Sequence, residues 1–130
     1  MYTGSCLCGG IRFEVNAELG PIDICHCQQC RKAQGTAFAT NTPVAASALR
    51  ITGGADLLKA YESSPGKRRH FCSGCGSPIY SQRDAKPDVV RIRVGVINEP
   101  LNVRPHAHYH TESKCNWWNI TDTLPRLAEG

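Results

Sequence analysis

Seven of this chain's eight cysteines fall into tight groups, and that grouping constrains the fold more than any hydrophobic pattern in it. Cys6 and Cys8 make a C-x-C, Cys25, Cys27 and Cys30 a C-x-C-x-x-C, and Cys72 and Cys75 a C-x-x-C; Cys115 stands alone. The opening residues, MYTGSCLCGG, lack the basic and apolar stretches of a secretory signal. No apolar run approaches the ~18 residues that a membrane span requires. The expected setting is the cytoplasm, where clustered cysteines serve as metal ligands or catalytic thiols rather than as disulfides. A chain of 130 residues reads as one domain, residues 1–130, whose modest core would gain from a metal staple. The net charge of +4 favours anionic partners but is too small and too dispersed to suggest nucleic acid.

Alternation dominates the chain. GIRFEV sets Ile11, Phe13 and Val15 against Arg12 and Glu14, and VVRIRVGVI sets Val90, Ile92, Val94 and Val96 against Arg91 and Arg93. TAFATN, LLKAYES, RRHFC and SPIYSQ are further short strand candidates. Breakers at Gly9-Gly10, Gly53-Gly54, Pro65-Gly66 and Asn98-Glu99-Pro100 separate them. The pattern predicts an all-β sandwich or open barrel. The one helical candidate is VAASAL, Val44 to Leu49, as one or two turns.

Structural zinc sites are tetrahedral, with four thiolates about 2.3 Å from the ion, usually supplied as two close pairs. Cys6/Cys8 and Cys72/Cys75 suit such a site. Each pair adjoins glycines (CLCGG, CSGCGS) that allow tight turns and aim N–H groups at sulfur. A disulfide or an inert buried thiol is the plainer alternative for either pair. CHCQQC then offers only three thiols, and three protein ligands with a vacant fourth position mark a catalytic zinc. A substrate thiol entering that position would lose its proton. His26 lies between two ligand cysteines, so in extended chain its side chain points away from theirs, favouring an orienting or merely exposed role over ligation. Cys115 could close the site or be a small buried apolar residue.

Arg31 and Lys32 follow the cluster directly. They could offset its negative charge or grip the carboxylates of a thiol ligand, or they could be an ordinary solvated face. In GKRRH, residues 66 to 70, strand alternation prevents the whole run from lining one pocket. At least one of Trp117 and Trp118 is expected in the core. His106, His108 and His110 read as a polar strand face rather than as a metal site.

Taken together, GSCLCGGIRFEV, CHCQQCRKAQGTAF, FCSGCGSPIY and HYHTESKCNWWNITDTLP resemble the glutathione-dependent formaldehyde-activating enzyme family, which includes centromere protein V, from about Ser5 to Leu127. The resemblance implies an all-β fold of stacked, zinc-stapled antiparallel sheets like those of methionine sulfoxide reductase B and translationally controlled tumour protein. It implies two Zn2+ ions. One, structural, would be held by Cys6, Cys8, Cys72 and Cys75; the other, catalytic, by Cys25, Cys27 and Cys30, where a glutathione thiol would bind. The activity implied is that of a carbon–sulfur lyase, S-(hydroxymethyl)glutathione synthase-like, with a small-molecule thiol and aldehyde as partners and no membrane. Two rivals remain: a zinc-binding module for thiol carriage or protein interaction, and a redox protein using Cys27 and Cys30, which lacks the expected βαβ context.

Overall fold

The computed structural model describes residues 1–130 and consists mainly of strands. In chain order these are β1 (Tyr2–Ser5), β2 (Arg12–Val15), β3 (Ile22–Cys25), β4 (Ala39–Ala45), β5 (Leu49–Gly53), β6 (Leu58–Ser64), β7 (Lys67–Cys72), β8 (Pro78–Arg83), β9 (Lys86–Arg93) and β10 (Pro105–Tyr109). One α-helix, α1 (Gln28–Gln34), follows β3. Strands β1, β2 and β5 form a small sheet; the other seven form a large one in the order β10-β3-β4-β9-β8-β7-β6. Every pairing is antiparallel except β10 with β3, which is parallel.

The sheets stack through the residues that alternation had set on one side. Ile11, Phe13 and Val15 meet Val44, Ile79, Val90 and Ile92 in a single core cluster. The small sheet lies tight against itself at Gly4, where a Cβ would come within 1.9 Å of the Phe13 ring, so only glycine fits. The large sheet's other face is polar. Register aligns Asp23 with Asn41 and Asn41 with Arg93, and aligns Arg69 with Ser81 and Ser81 with Arg91. Helix α1 packs over this face, with Gln34 accepting from Arg93 and Gln29 from Arg69.

Two expectations change. The helix expected over Val44 to Leu49 is instead the end of β4, a single 3-10 turn at Ala46–Ala48, and the start of β5. Three alanines and a serine have helical propensity, but strand pairing on both sides outweighs a segment too short to nucleate. The helix that does form has no apolar period and buries only Cys30. Its ends define it: the Cys27 side chain accepts from the Cys30 N–H, and Gly35, at φ 68°, closes it with a bond to the Arg31 carbonyl. No helix is long and apolar enough to cross a membrane.

Candidate metal centres and the adjoining cavity

The first sulfur cluster is built from two turns brought together by the fold. One follows β1, where Gly9, at φ 75°, bonds back to the Cys6 carbonyl and Ile11 donates its N–H to the Cys6 sulfur at 3.2 Å. The other follows β7, where Gly76, at φ 80°, bonds back to the Cys72 carbonyl. Ser77 ties the turns to each other, since its oxygen accepts from the Leu7 N–H at 2.9 Å and lies 3.3 Å from the Cys75 sulfur. The sulfurs of Cys6, Cys8, Cys72 and Cys75 all lie within 4.8 Å of one another. Cys6 and Cys8 sulfurs are 3.5 Å apart, and those of Cys8 and Cys72 3.9 Å. These spacings bracket the edge of about 3.8 Å of a tetrahedron with 2.3 Å metal–sulfur bonds, so the donor set fits zinc. Hydrogen bonding to Ser77 draws the Cys75 thiol down to about 5, towards the ionised form a metal needs.

The second cluster sits where β3 gives way to α1. Cys25 ends the strand, Cys27 caps the helix and Cys30 stands in its first turn, with their three sulfurs again within 4.8 Å. Cys115 belongs to neither cluster; it is buried elsewhere. Arg69 directs Nη1 and Nη2 at the Cys30 sulfur from 3.8 and 3.7 Å. Hydrogen bonds from Cys25 and Cys27, and then the Arg69 charge, hold the Cys30 thiol far below its ordinary range. The same two neighbours, Cys27 and Cys30, push Cys25 up. The Arg69 guanidinium beside Cys30 favours its thiolate form.

Two buried cations stand beside this cluster. Arg69 and Arg93 are only 8% and 3% exposed, and neither pairs with a carboxylate. Arg69 bonds to Ser63, Gln29 and the Cys30 sulfur; Arg93 bonds to Gln34, Asn41, Ser81 and the Arg91 carbonyl. Burial pulls the Arg93 guanidinium down to about 10, with the Cys30 charge opposing it. Two buried guanidinium groups without a carboxylate demand another anion close by, because an unpaired buried charge costs several kcal/mol. A divalent ion held by three thiolates would supply net negative charge at that spot.

Beside Cys25 and Cys30 lies a cavity of about 310 Å³. Lys67, Arg83 and Arg91 line it with Asn41, Ser81, Tyr109, His110, Gly130 and one acidic side chain, Asp23. Asp23 is held by Arg91 at 2.9 Å and His106 at 2.6 Å. Arg31 and Lys32 lie on α1 and do not line this cavity. The cations that do, Lys67, Arg83 and Arg91, come from the strands of the large sheet. Alternation in KRR and RIR was the signal: Lys67 and Arg69 share one face of β7, while Arg68 turns away to Asp84 and His70 stacks on Tyr80 at 4.2 Å.

The histidines also differ from the polar face expected of them. His110 lies beyond β10 at φ 56°, His106 is exposed, and His108 is fully buried against His26, Nδ1 to Nε2 at 2.8 Å. Burial lowers His26 to about 4. Trp117 is 65% exposed, and Trp118 packs edge-on against Phe38 at 5.0 Å.

Residues 1–113 match the family model described as glutathione-dependent formaldehyde-activating enzyme. A Halomonas elongata protein carrying the same family description is 34% identical over 129 residues, covering 92% of this chain and 81% of the relative. A Fusarium vanettenii protein with that description is 33% identical over 58 residues, 45% of this chain and 31% of the relative. A solved structure of a Rhodobacter sphaeroides protein superposes with a TM-score of 0.64 at 27% identity, covering 78% of this chain and 97% of that one.

Proposed function

The chain belongs to the glutathione-dependent formaldehyde-activating enzyme family, and on that footing we propose that it is a zinc-dependent enzyme of the carbon–sulfur lyase type, acting on a glutathione–aldehyde adduct. In this reading Cys6, Cys8, Cys72 and Cys75 hold a structural zinc, and Cys25, Cys27 and Cys30 hold a second one that leaves a position for a visiting thiol. The observation that carries it is the pair of buried arginines, Arg69 and Arg93, set beside a three-sulfur cluster with no carboxylate to balance them.

A zinc ion held by Cys25, Cys27 and Cys30 would supply the Lewis acidity that ionises a bound thiol at neutral pH. The protein's own groups do the rest. Arg69 against the Cys30 sulfur, with Arg93 and Lys67 behind it, offsets the charge that a fourth thiolate adds. The cavity suits glutathione in its charges as well as its size. In this reading Lys67 and Arg83 would meet the tripeptide's carboxylates, with the Arg91–Asp23 pair beside them open to its ammonium group. Arg31 and Lys32 act through the positive field they add around the site. With the thiolate held in place, its sulfur adds to the aldehyde carbon as the carbonyl π bond opens, and the oxygen takes up, through water, the equivalent of the proton the thiol released; the reverse cleaves the adduct. All eight cysteines are free, which supports work in the reducing cytoplasm.

The test is glutathione-dependent consumption of formaldehyde measured against the uncatalysed background, in wild type and in Cys27→Ser. Wild type is expected to exceed the background and Cys27→Ser to match it. A wild-type rate indistinguishable from background would overturn the enzyme reading and leave a zinc module for thiol carriage or protein interaction.

A further inference from the structure

Behind the three cysteines, three side chains link the metal loop to the C-terminal segment. Strand alternation turns His26 away from Cys25, and its backbone N–H extends the β3–β10 pairing by bonding to the Tyr109 carbonyl at 2.9 Å. His26 and His108 are both 0% exposed. His26 Nε2 lies 2.8 Å from His108 Nδ1, and His108 Nε2 lies 3.0 and 3.1 Å from the two carboxylate oxygens of Asp122. A carboxylate only accepts, so His108 donates to it from Nε2; its Nδ1 then accepts, and His26 donates from Nε2. The bonds run one way, from His26 to Asp122, and fix both ring tautomers. His26 Nδ1 is left buried with no partner, so the ring is held from one end only.

His26 is the one residue between the last residue of β3, Cys25, and the cap of α1, Cys27. The angle at which strand meets helix decides where the Cys25 sulfur stands relative to those of Cys27 and Cys30. A pinned ring at that joint holds the angle. Asp122 is itself fixed, accepting the Leu124 N–H at 3.0 Å, and its segment is laced to β10 by Leu127 N–H to the His108 carbonyl at 2.8 Å. It lies outside residues 1–113, the part that matches the family model.

We propose that Asp122 is a positioning residue for the three-cysteine site: through His108 it holds the His26 ring, and so sets the geometry with which Cys25, Cys27 and Cys30 grip a metal. This rests on reading those cysteines as a metal site, and Co2+ titration separates the two claims when it starts from folded protein in which a chelator has stripped the three-cysteine site and left the four-cysteine zinc in place. Wild type is expected to bind one equivalent, with thiolate–cobalt absorption bands. No cobalt bound would overturn the metal reading and the positioning role with it. Asp122→Ala, at a side chain 42% exposed, opens no core cavity. It should keep the four-cysteine zinc and bind cobalt about 10–100-fold more weakly, with shifted bands. Asp122→Asn, which retains an acceptor, should restore most of the affinity. Arg126→Ala loosens the same segment by removing a bond to the Ile120 carbonyl and should bind cobalt as wild type does. Wild-type affinity and bands in Asp122→Ala, or an equal loss in Arg126→Ala, would overturn the proposal. Should Asp122→Ala fail to fold, Asp122→Asn and Asp122→Ser carry the test: affinity falling in the order wild type, Asn, Ser supports it, and no such order overturns it.

Discussion

The two sulfur clusters use the same ligand chemistry in opposite surroundings. The four-cysteine cluster is closed by backbone: two glycine turns, an amide on the Cys6 sulfur and a serine stitching loop to loop, with Cys6 and Cys72 inside the core that joins the sheets. The three-cysteine cluster is closed by side chains: guanidinium groups in front, an imidazole pair behind, and a charged cavity alongside. Sulfur content alone does not separate a staple from a workplace; the neighbours do. A cluster that only has to hold the chain together needs amides and apolar cover. One that exchanges a ligand, as proposed for Cys25, Cys27 and Cys30, needs countercharge and room.

The sharpest way to break this contrast is to remove one sulfur from each side. Cys72→Ser is expected to leave the domain unfolded by circular dichroism, since structural zinc in small domains is worth on the order of 10 kcal/mol of folding free energy. Cys27→Ser should stay folded and hold one zinc by elemental analysis. Two equally folded variants would erase the distinction.

Next in size is countercharge. Arg69→Met keeps bulk but removes the cation from Cys30, and the second zinc should then be lost to a chromophoric chelator at roughly tenfold lower chelator concentration or less, by analogy with other outer-shell changes. The four-cysteine zinc should resist the chelator as in wild type.

Acid should find the same side first. His26 is lowered to about 4 in the folded protein, while an unfolded histidine titrates near 6.5. Between these values the unfolded state binds more protons, so the stability held above about 6.5 is lost as pH falls towards 4. From pH 7 to 5 the loss is about 2 kcal/mol in urea titrations. His26→Gln should flatten that part of the slope.

The smallest effects belong to the cavity rim. Lys67→Ala, Arg83→Ala and Arg91→Ala should each raise the KM for glutathione by about threefold to tenfold, more at low salt, with kcat little changed. Arg31→Ala with Lys32→Ala should move it by less than about twofold. A larger shift for the helix pair would put the ligand's carboxylates over α1 instead of over the strands.

Much of this was legible before any coordinates. Spacing alone divided seven cysteines four and three, and the division is the one the folded chain makes, because ligands close in sequence need only a turn to converge. The β architecture was legible because Phe13, Val15, Val90 and Ile92 alternate with charge. The large sheet's second face was not. Arg93 alternates just as a solvated residue would, and nothing local says that α1 will cover it. The helix escaped notice because caps at Cys27 and Gly35, rather than an apolar stripe, define it. His108 was mistaken for surface because its partners, His26 and Asp122, lie 82 and 14 residues away.

The parity of β7 carries a consequence for how this sequence tolerates change. Lys67 and Arg69 meet the three-cysteine cluster and its cavity while Arg68 and His70 meet Asp84 and Tyr80, so one residue inserted or deleted in the Ser64–Gly66 turn exchanges the two sets. Point substitutions among these basic residues leave the others where they are. A single in-frame codon gained or lost upstream of them would swing the whole row at once, making the hairpin's length as strict a requirement as any of its side chains.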